Sequence, residues 1–325
     1  MGDGTVRSGA PIETSTDVRG AFERALGRRA RRVERLARGY ANVTWLVETE
    51  DGRYLLKAPP QGAPRVERTV RATAAALAAD VPTPRIVHQD TSGALLPPHW
   101  IQEYVEDAED AERLWRSLSS TERDAVARAY GAVVARLHAT PHRDDPRPLA
   151  NVVASRLASV VANAREVGEL DEAAAHRVAD AVACALPLLA RVEPRLCHTD
   201  LHLENVLLTR ADDGWRFAAL LDFEHGRATD PAEDFPKLGW WNFGPHPEME
   251  APFLAAYGDP SRHGVDFAAR RDLFCLYGVV ASLGYFARRA GAPDPVRPYV
   301  QEDNRRQLAL FRERFRRWLA GGAAC

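Results

Sequence analysis

The chain has 325 residues, 46% of them apolar and 27% charged, a composition that suits a globular protein and a length that favours two lobes over one compact core. Forty-three Lys and Arg against 45 Asp and Glu leave a formal charge of -2, so no basic excess points to a nucleic-acid partner. The first residues lack an apolar secretory core and no run reads as a membrane span, so a cytoplasmic protein with no membrane partner is expected.

A helix is predicted over residues 17–33, dense in arginines that read as a solvated face. The turn Gly39-Tyr40-Ala41-Asn42 follows, where Gly39 permits close backbone approach and Asn42 can hydrogen-bond locally. The period then changes. Val43, Trp45 and Val47 alternate with Thr44, Leu46 and Glu48, Asp51-Gly52 supplies a tight turn, and residues 53–57 return as a second strand. Pro59 and Pro60 end it. An alanine-rich helix over 65–79 and strands near 86–88 and 100–105 come next.

The acidic stretch 106–112 is the best boundary, giving an N-terminal lobe at 1–105 and a C-terminal lobe at 106–325. Helices are predicted over 121–138, where Val126, Tyr130, Val133, Val134 and Leu137 recur at helical spacing, and over 171–189. Short strands return between 195 and 224. Beyond Pro231 the chain is helical and loop-rich, ending in a helix striped by Leu308, Phe311, Phe315, Trp318 and Leu319. Cys184, Cys197, Cys275 and Cys325 are too widely spaced for a CxxC pair or a zinc knuckle and read as plain thiols.

The chemistry concentrates in His198-Thr199-Asp200-Leu201-His202-Leu203-Glu204-Asn205 and, after a short hairpin, Asp222-Phe223-Glu224. Two loops flanking a hairpin are expected to bring Asp200, Asn205 and Asp222 together. Asp200 can accept the proton of an incoming hydroxyl, while Asn205 and Asp222 offer the hard oxygen ligands that magnesium prefers, a set suited to phosphoryl transfer. Glu224 reads either as a ligand of a second ion or as a loop-stabilising acceptor. A metal-dependent hydrolase built on His198, Asp200, His202 and Asp222 is a competing reading, but it matches no HExxH order and leaves Asn205 without a role.

This stretch resembles the aminoglycoside phosphotransferase family of small-molecule and antibiotic kinases. The His-x-Asp-x-x-x-x-Asn loop falls on His198, Asp200 and Asn205, the later metal-binding aspartate on Asp222, and an Asp-Pro-x-x-Asp pattern on Asp230 to Asp234. The resemblance implies an α+β, bilobal protein-kinase-like fold, with a sheet-containing N-lobe and a mainly helical C-lobe. It also implies ATP, or GTP, as phosphoryl donor with Mg2+. Lys57 becomes the phosphate-holding lysine, Glu67 its orienting partner on the next helix, and Gln102, Glu103, Tyr104 and Val105 the segment that holds the base. His198, His202 and Asp234 are assigned supporting roles. The implied substrate is a hydroxyl-bearing small molecule, an antibiotic first; a metabolic alcohol such as choline, a sugar or homoserine is an alternative, as is a pseudokinase that binds without catalysis. No Gly-rich GxGxxG or GxxxxGK[ST] run is present, and under this resemblance Gly39-Tyr40-Ala41-Asn42, with Gly39 and Asn42, is the candidate nucleotide-facing turn in its place.

Overall fold

The computed structural model describes residues 14–36, 42–212, 214–291 and 298–322, with the side chains of 298 and 299 excepted. Gly39 of the expected nucleotide-facing turn lies outside the described residues. The protein is bilobal, with a β-sheet lobe at the N-terminus and a helical lobe at the C-terminus, the architecture of protein kinases. Its two compact units are Met1–Ala108 with Ala218–His225, and Glu109–Phe217 with Gly226–Cys325.

In the first unit, α1 (Ser15–Leu26) starts at Thr14, whose hydroxyl accepts from Asp17 N at 3.2 Å, and stops at Gly27, which takes a left-handed φ of 65°. The helix expected over 17–33 is therefore shorter than its arginine pattern suggests. Residues beyond it turn into an edge strand, β1 (Arg32–Leu36), paired antiparallel with β2 (Val43–Glu48). β2 and β3 (Arg53–Ala58) form the hairpin closed by Thr49 N to Gly52 O at 2.9 Å. With β4 (Ile86–Asp90) and β5 (His99–Glu103) they make an antiparallel sheet in the order β1-β2-β3-β5-β4. Val18 and Phe22 of α1 pack with Trp45, Val47, Tyr54, Leu56 and Ile101 to form its core. The helix α2 (Ala63–Ala78) buries Val66, Thr69, Ala72, Thr73 and Ala76, and packs against β4, β5 and the turn at Phe223–His225.

The second unit opens with β6 (Ala108–Asp110) and α3 (Ala111–Leu114). Its first long helix, α4 (Ser120–Ala139), begins with a reciprocal cap between Ser119 and Glu122. Three further helices follow in sequence or close the chain's middle: α5 (Leu149–Glu166), α6 (Glu172–Ala185) and, after the site loops, α7 (Phe235–Leu238). Then come α8 (Glu250–Tyr257), α9 (Phe267–Gly291) and α10 (Pro298–Leu319). Between α6 and α7 the chain forms β7 (Arg195–Cys197), β8 (Val206–Ala211), β9 (Gly214–Leu220) and β10 (Arg227–Thr229), with β10 antiparallel to β7 and a separate sheet ordered β6-β8-β9. Val178, Trp240, Phe274, Val279, Leu283 and Phe311 anchor the helical core.

Two expectations need correction. The segment Glu172–Arg191, with mean hydropathy 1.3, is long and apolar enough to cross a membrane by length and composition; here Ala174, Ala175, Val178, Val182 and Leu189 pack into the helical core. Cys275 is disulfide-bonded rather than a plain thiol, whereas Cys184 and Cys197 are free.

Candidate active site

The loop after β7 carries Asp200. Its geometry is set by Asp234, which is fully buried and accepts from the backbone N–H of His198 (3.0 Å) and of Thr199, while His138 Nε2 lies 2.9 Å from the same carboxylate. His138 ends the buried face of α4, and its Nδ1 lies 2.7 Å from the Tyr257 hydroxyl on α8. Those two helices approach closely because Gly131 faces the Phe253 carbonyl, where a Cβ would collide. Asp234 thus fixes the entry to the Asp200 loop through contacts that the sequence scatters over three elements.

Within the loop, Thr199 adopts a φ of 60°. A β-branched residue in the left-handed region costs about 1–3 kcal/mol, and such strain persists only where the surroundings enforce it. Asp234 supplies that enforcement. The Asp200 N–H donates to His198 Nδ1 at 3.2 Å, and Asn205 Nδ2 donates to the Asp200 carbonyl at 2.9 Å, closing the loop on itself. With its amide nitrogen so engaged, Asn205 presents Oδ1 as a hard donor. His202 Nε2 sits between Asp200 Oδ2 at 3.6 Å and Asn205 Nδ2 at 3.1 Å. Burial alone would lower the His202 pKa, but the charge and hydrogen bond of Asp200, with the Glu204 charge behind them, together outweigh it and raise it. Lys237 on α7 forms an ion pair with Asp200 Oδ1; the sequence distinguishes this residue only as one of two lysines in the chain.

In the sheet unit, Lys57 lies on β3 with its side chain 10% exposed and pairs with Asp222 Oδ1. Glu67 is not its partner: it is exposed and forms no ion pair among the described residues. The buried stripe of α2 runs through Val66, Thr69, Ala72, Thr73 and Ala76, and position 67 falls off it. From the same helix Arg65 donates instead to the Glu224 carbonyl at 2.7 Å. Asp222 takes a left-handed φ of 59°. Glu224 accepts from Asn42 Nδ2 at 2.6 Å, a long-range bond rather than the local one expected of Asn42. Burial, and next the Asp222 charge, push the Glu224 carboxyl up.

The segment 102–105, expected to hold a base, is less open than its sequence implies. Gln102 is buried and accepts from Trp100 Nε1 at 2.9 Å, while Glu103 is gripped by Arg85, whose hydrogen bond lowers its pKa. The N–H groups of Glu103 and Tyr104 donate to the carbonyls of Arg85 (3.0 Å) and Arg53 (3.1 Å). Val105 follows them, half-buried.

The donors present fit a hard divalent cation. Within the sheet unit Asp222 and Glu224 offer carboxylate oxygens, and Asn42 Oδ1 is a buried acceptor without a hydrogen-bond partner, which a bound group would satisfy. A second cluster, His138, Cys197 and Asp234, brings its ligand atoms within 4.8 Å of one another. It serves as a brace: both His138 nitrogens and the Asp234 carboxylate are committed, and burial pushes the Cys197 thiol up.

No curated protein matches the sequence at a significant level. Among solved structures, the GDP complex of aminoglycoside 2'-phosphotransferase-IIIa is similar at a TM-score of 0.65 and 15% identity, over 93% of this chain and 99% of that one. Choline kinase LicA from Streptococcus pneumoniae gives 0.61 and 18%, over 91% and 99%. Spectinomycin phosphotransferase APH(9)-Ia, in complex with ADP and spectinomycin, gives 0.56 and 14%, over 94% and 95%. Identities this low speak for the fold alone. The family profile goes further, because the phosphotransferase enzyme family, APH, matches residues 32–271, and the chain belongs to that family.

Proposed function

We propose that this protein transfers the γ-phosphoryl group of ATP, or of GTP, to a hydroxyl of a small molecule. The observation that carries the reading is the Asp200 loop, held through Asp234, Asn205 and Lys237 with its carboxylate at the focus. Asp200 accepts the proton of the acceptor hydroxyl and aims its oxygen at phosphorus. The new O–P bond forms as the bond from phosphorus to the bridging oxygen breaks, and the nucleoside diphosphate leaves. Because the transition state is loose, orientation counts for more than base strength. Lys57 neutralises phosphate charge, residues 102–105 and the loop at Asn42 hold the nucleotide, and Asn205 and Asp222, with Glu224 beside Asp222, would hold magnesium. Bound there, the ion screens charge on the phosphate oxygens.

Antibiotics are the first acceptor class to test, since two of the similar structures are named for antibiotic substrates; metabolic alcohols come second. We place the reaction in the cytoplasm, where the donor nucleotide is made. Purified protein with ATP or GTP, magnesium and a panel of both acceptor classes is read by mass spectrometry. One acceptor gaining a single phosphoryl group is the expected result. Nucleotide bound without phosphoryl gain on any acceptor, and without hydrolysis, would favour a binding protein instead.

A further inference from the structure

Lys237 stands against the carboxylate assigned as catalytic, on a short helix that neither the motif nor the metal chemistry requires. Its ammonium pairs with Asp200 Oδ1, and the two side chains are 35% and 20% exposed. The approach is built into the backbone. About one turn before Lys237, Asp234 accepts from the N–H groups of His198 and Thr199. Just over one turn after it, Asn242 Nδ2 donates to the Leu201 carbonyl at 3.0 Å. The residues on both sides of Asp200 are thereby tied to the residues on both sides of Lys237.

Composition points the same way. Among 43 basic residues only Lys57 and Lys237 are lysines, and each pairs with a site carboxylate, Asp222 and Asp200 respectively. A guanidinium forks onto both oxygens of a carboxylate, whereas an ammonium is a compact charge that can grip one. A lysine at 237 therefore fixes the rotation of Asp200 without clamping the whole carboxylate edge.

We propose that Lys237 is a positioning residue for Asp200, setting the carboxylate's orientation toward the acceptor hydroxyl. The inference rests on the phosphotransferase reading above. During transfer the acceptor's proton goes to Asp200, and Lys237 keeps its own protons throughout.

The test uses the full chain, with water as acceptor, following magnesium-dependent ATP turnover in wild type, Lys237→Ala, Lys237→Arg and Asp200→Asn. Lys237→Ala is expected to lower kcat by on the order of tenfold to a hundredfold, the scale of one charge-assisted hydrogen bond. The KM for ATP and the melting temperature should stay near wild type. Added ethylammonium should restore rate to Lys237→Ala in a saturable way, which no loss of helix packing would allow. Lys237→Arg should remain impaired. Wild-type turnover in Lys237→Ala, or a slow Lys237→Ala that ethylammonium does not revive, overturns the proposal. Asp200→Asn separates the two claims: if it turns over like wild type the phosphotransferase reading itself falls, whereas an inactive Asp200→Asn beside a fully active Lys237→Ala removes only the role of Lys237.

Discussion

The two acidic loops are held in different ways. The Asp200 loop hangs from a fully buried aspartate, with His138 and two backbone N–H groups converging on Asp234. The carboxylates of the Asp222 turn are gripped by side chains, Lys57 on Asp222 and Asn42 on Glu224, with Arg65 on the Glu224 carbonyl. Buried, fully satisfied polar networks rigidify what they touch. The loop that carries the proposed base is thus preformed, whereas the carboxylates of the turn that carries the proposed metal ligands are engaged by Lys57 and Asn42, groups that a bound cation would have to displace or share.

The contrast breaks most visibly at Asp234. Asp234→Ala leaves two buried N–H groups and His138 without their acceptor, and should cost about 3–5 kcal/mol in urea unfolding. A loss below about 1 kcal/mol would mean that the loop is held by something else. One residue earlier, Glu233 pairs with Arg156 and Arg227. Burial pushes its carboxyl up, but those two guanidinium groups outweigh burial and hold it down at about 2, against an ordinary 4.5. A carboxyl depressed in the folded state contributes stability that is complete above the ordinary value and lost as pH falls toward 2. Glu233→Gln should therefore cost roughly 3 kcal/mol at neutral pH and flatten the pH dependence of unfolding in that acid window. An unchanged acid limb would remove Glu233 from the account.

On the other loop, Asn42→Ala should change global stability by only about 1 kcal/mol while weakening magnesium-dependent nucleotide binding, measured by calorimetry. Equal nucleotide affinity in mutant and parent would detach Asn42 from the site. The smallest effect belongs to Thr199→Gly. Relieving the left-handed φ of 60° should offset the added chain entropy, leaving the melting temperature unchanged or raised by a stabilisation of up to about 1 kcal/mol. A clear destabilisation would show that the threonine side chain, not the backbone shape, is what the loop needs.

Much of the fold is legible in the chain because its signals are local. Asp51-Gly52 between alternating runs announces the β2–β3 hairpin, and the spacing of Val126, Tyr130, Val133 and Leu137 announces α4. The strand Arg32–Leu36 is not legible, since alternating Arg, Val and Glu on a sheet edge carries no hydrophobic period distinct from the preceding helix. Among the candidate residues, motif spacing singles out Asp200, Asn205 and Asp222, but ion-pair choice depends on which helix face is buried. That is why Glu67, adjacent to the buried Val66, gives way to Asp222 as the partner of Lys57. Lys237 carries no motif signal beyond being one of two lysines, because its approach to Asp200 exists only once Asp234 and Asn242 have tied their segment to the loop.

The most direct measurement follows label from γ-labelled ATP into a pool of hydroxyl-bearing antibiotics and metabolites, comparing wild type with Asp200→Asn at matched melting temperatures. The account predicts labelled acceptor with wild type and a decrease of roughly 10²- to 10⁴-fold in the variant. Equal labelling by the two proteins would contradict it.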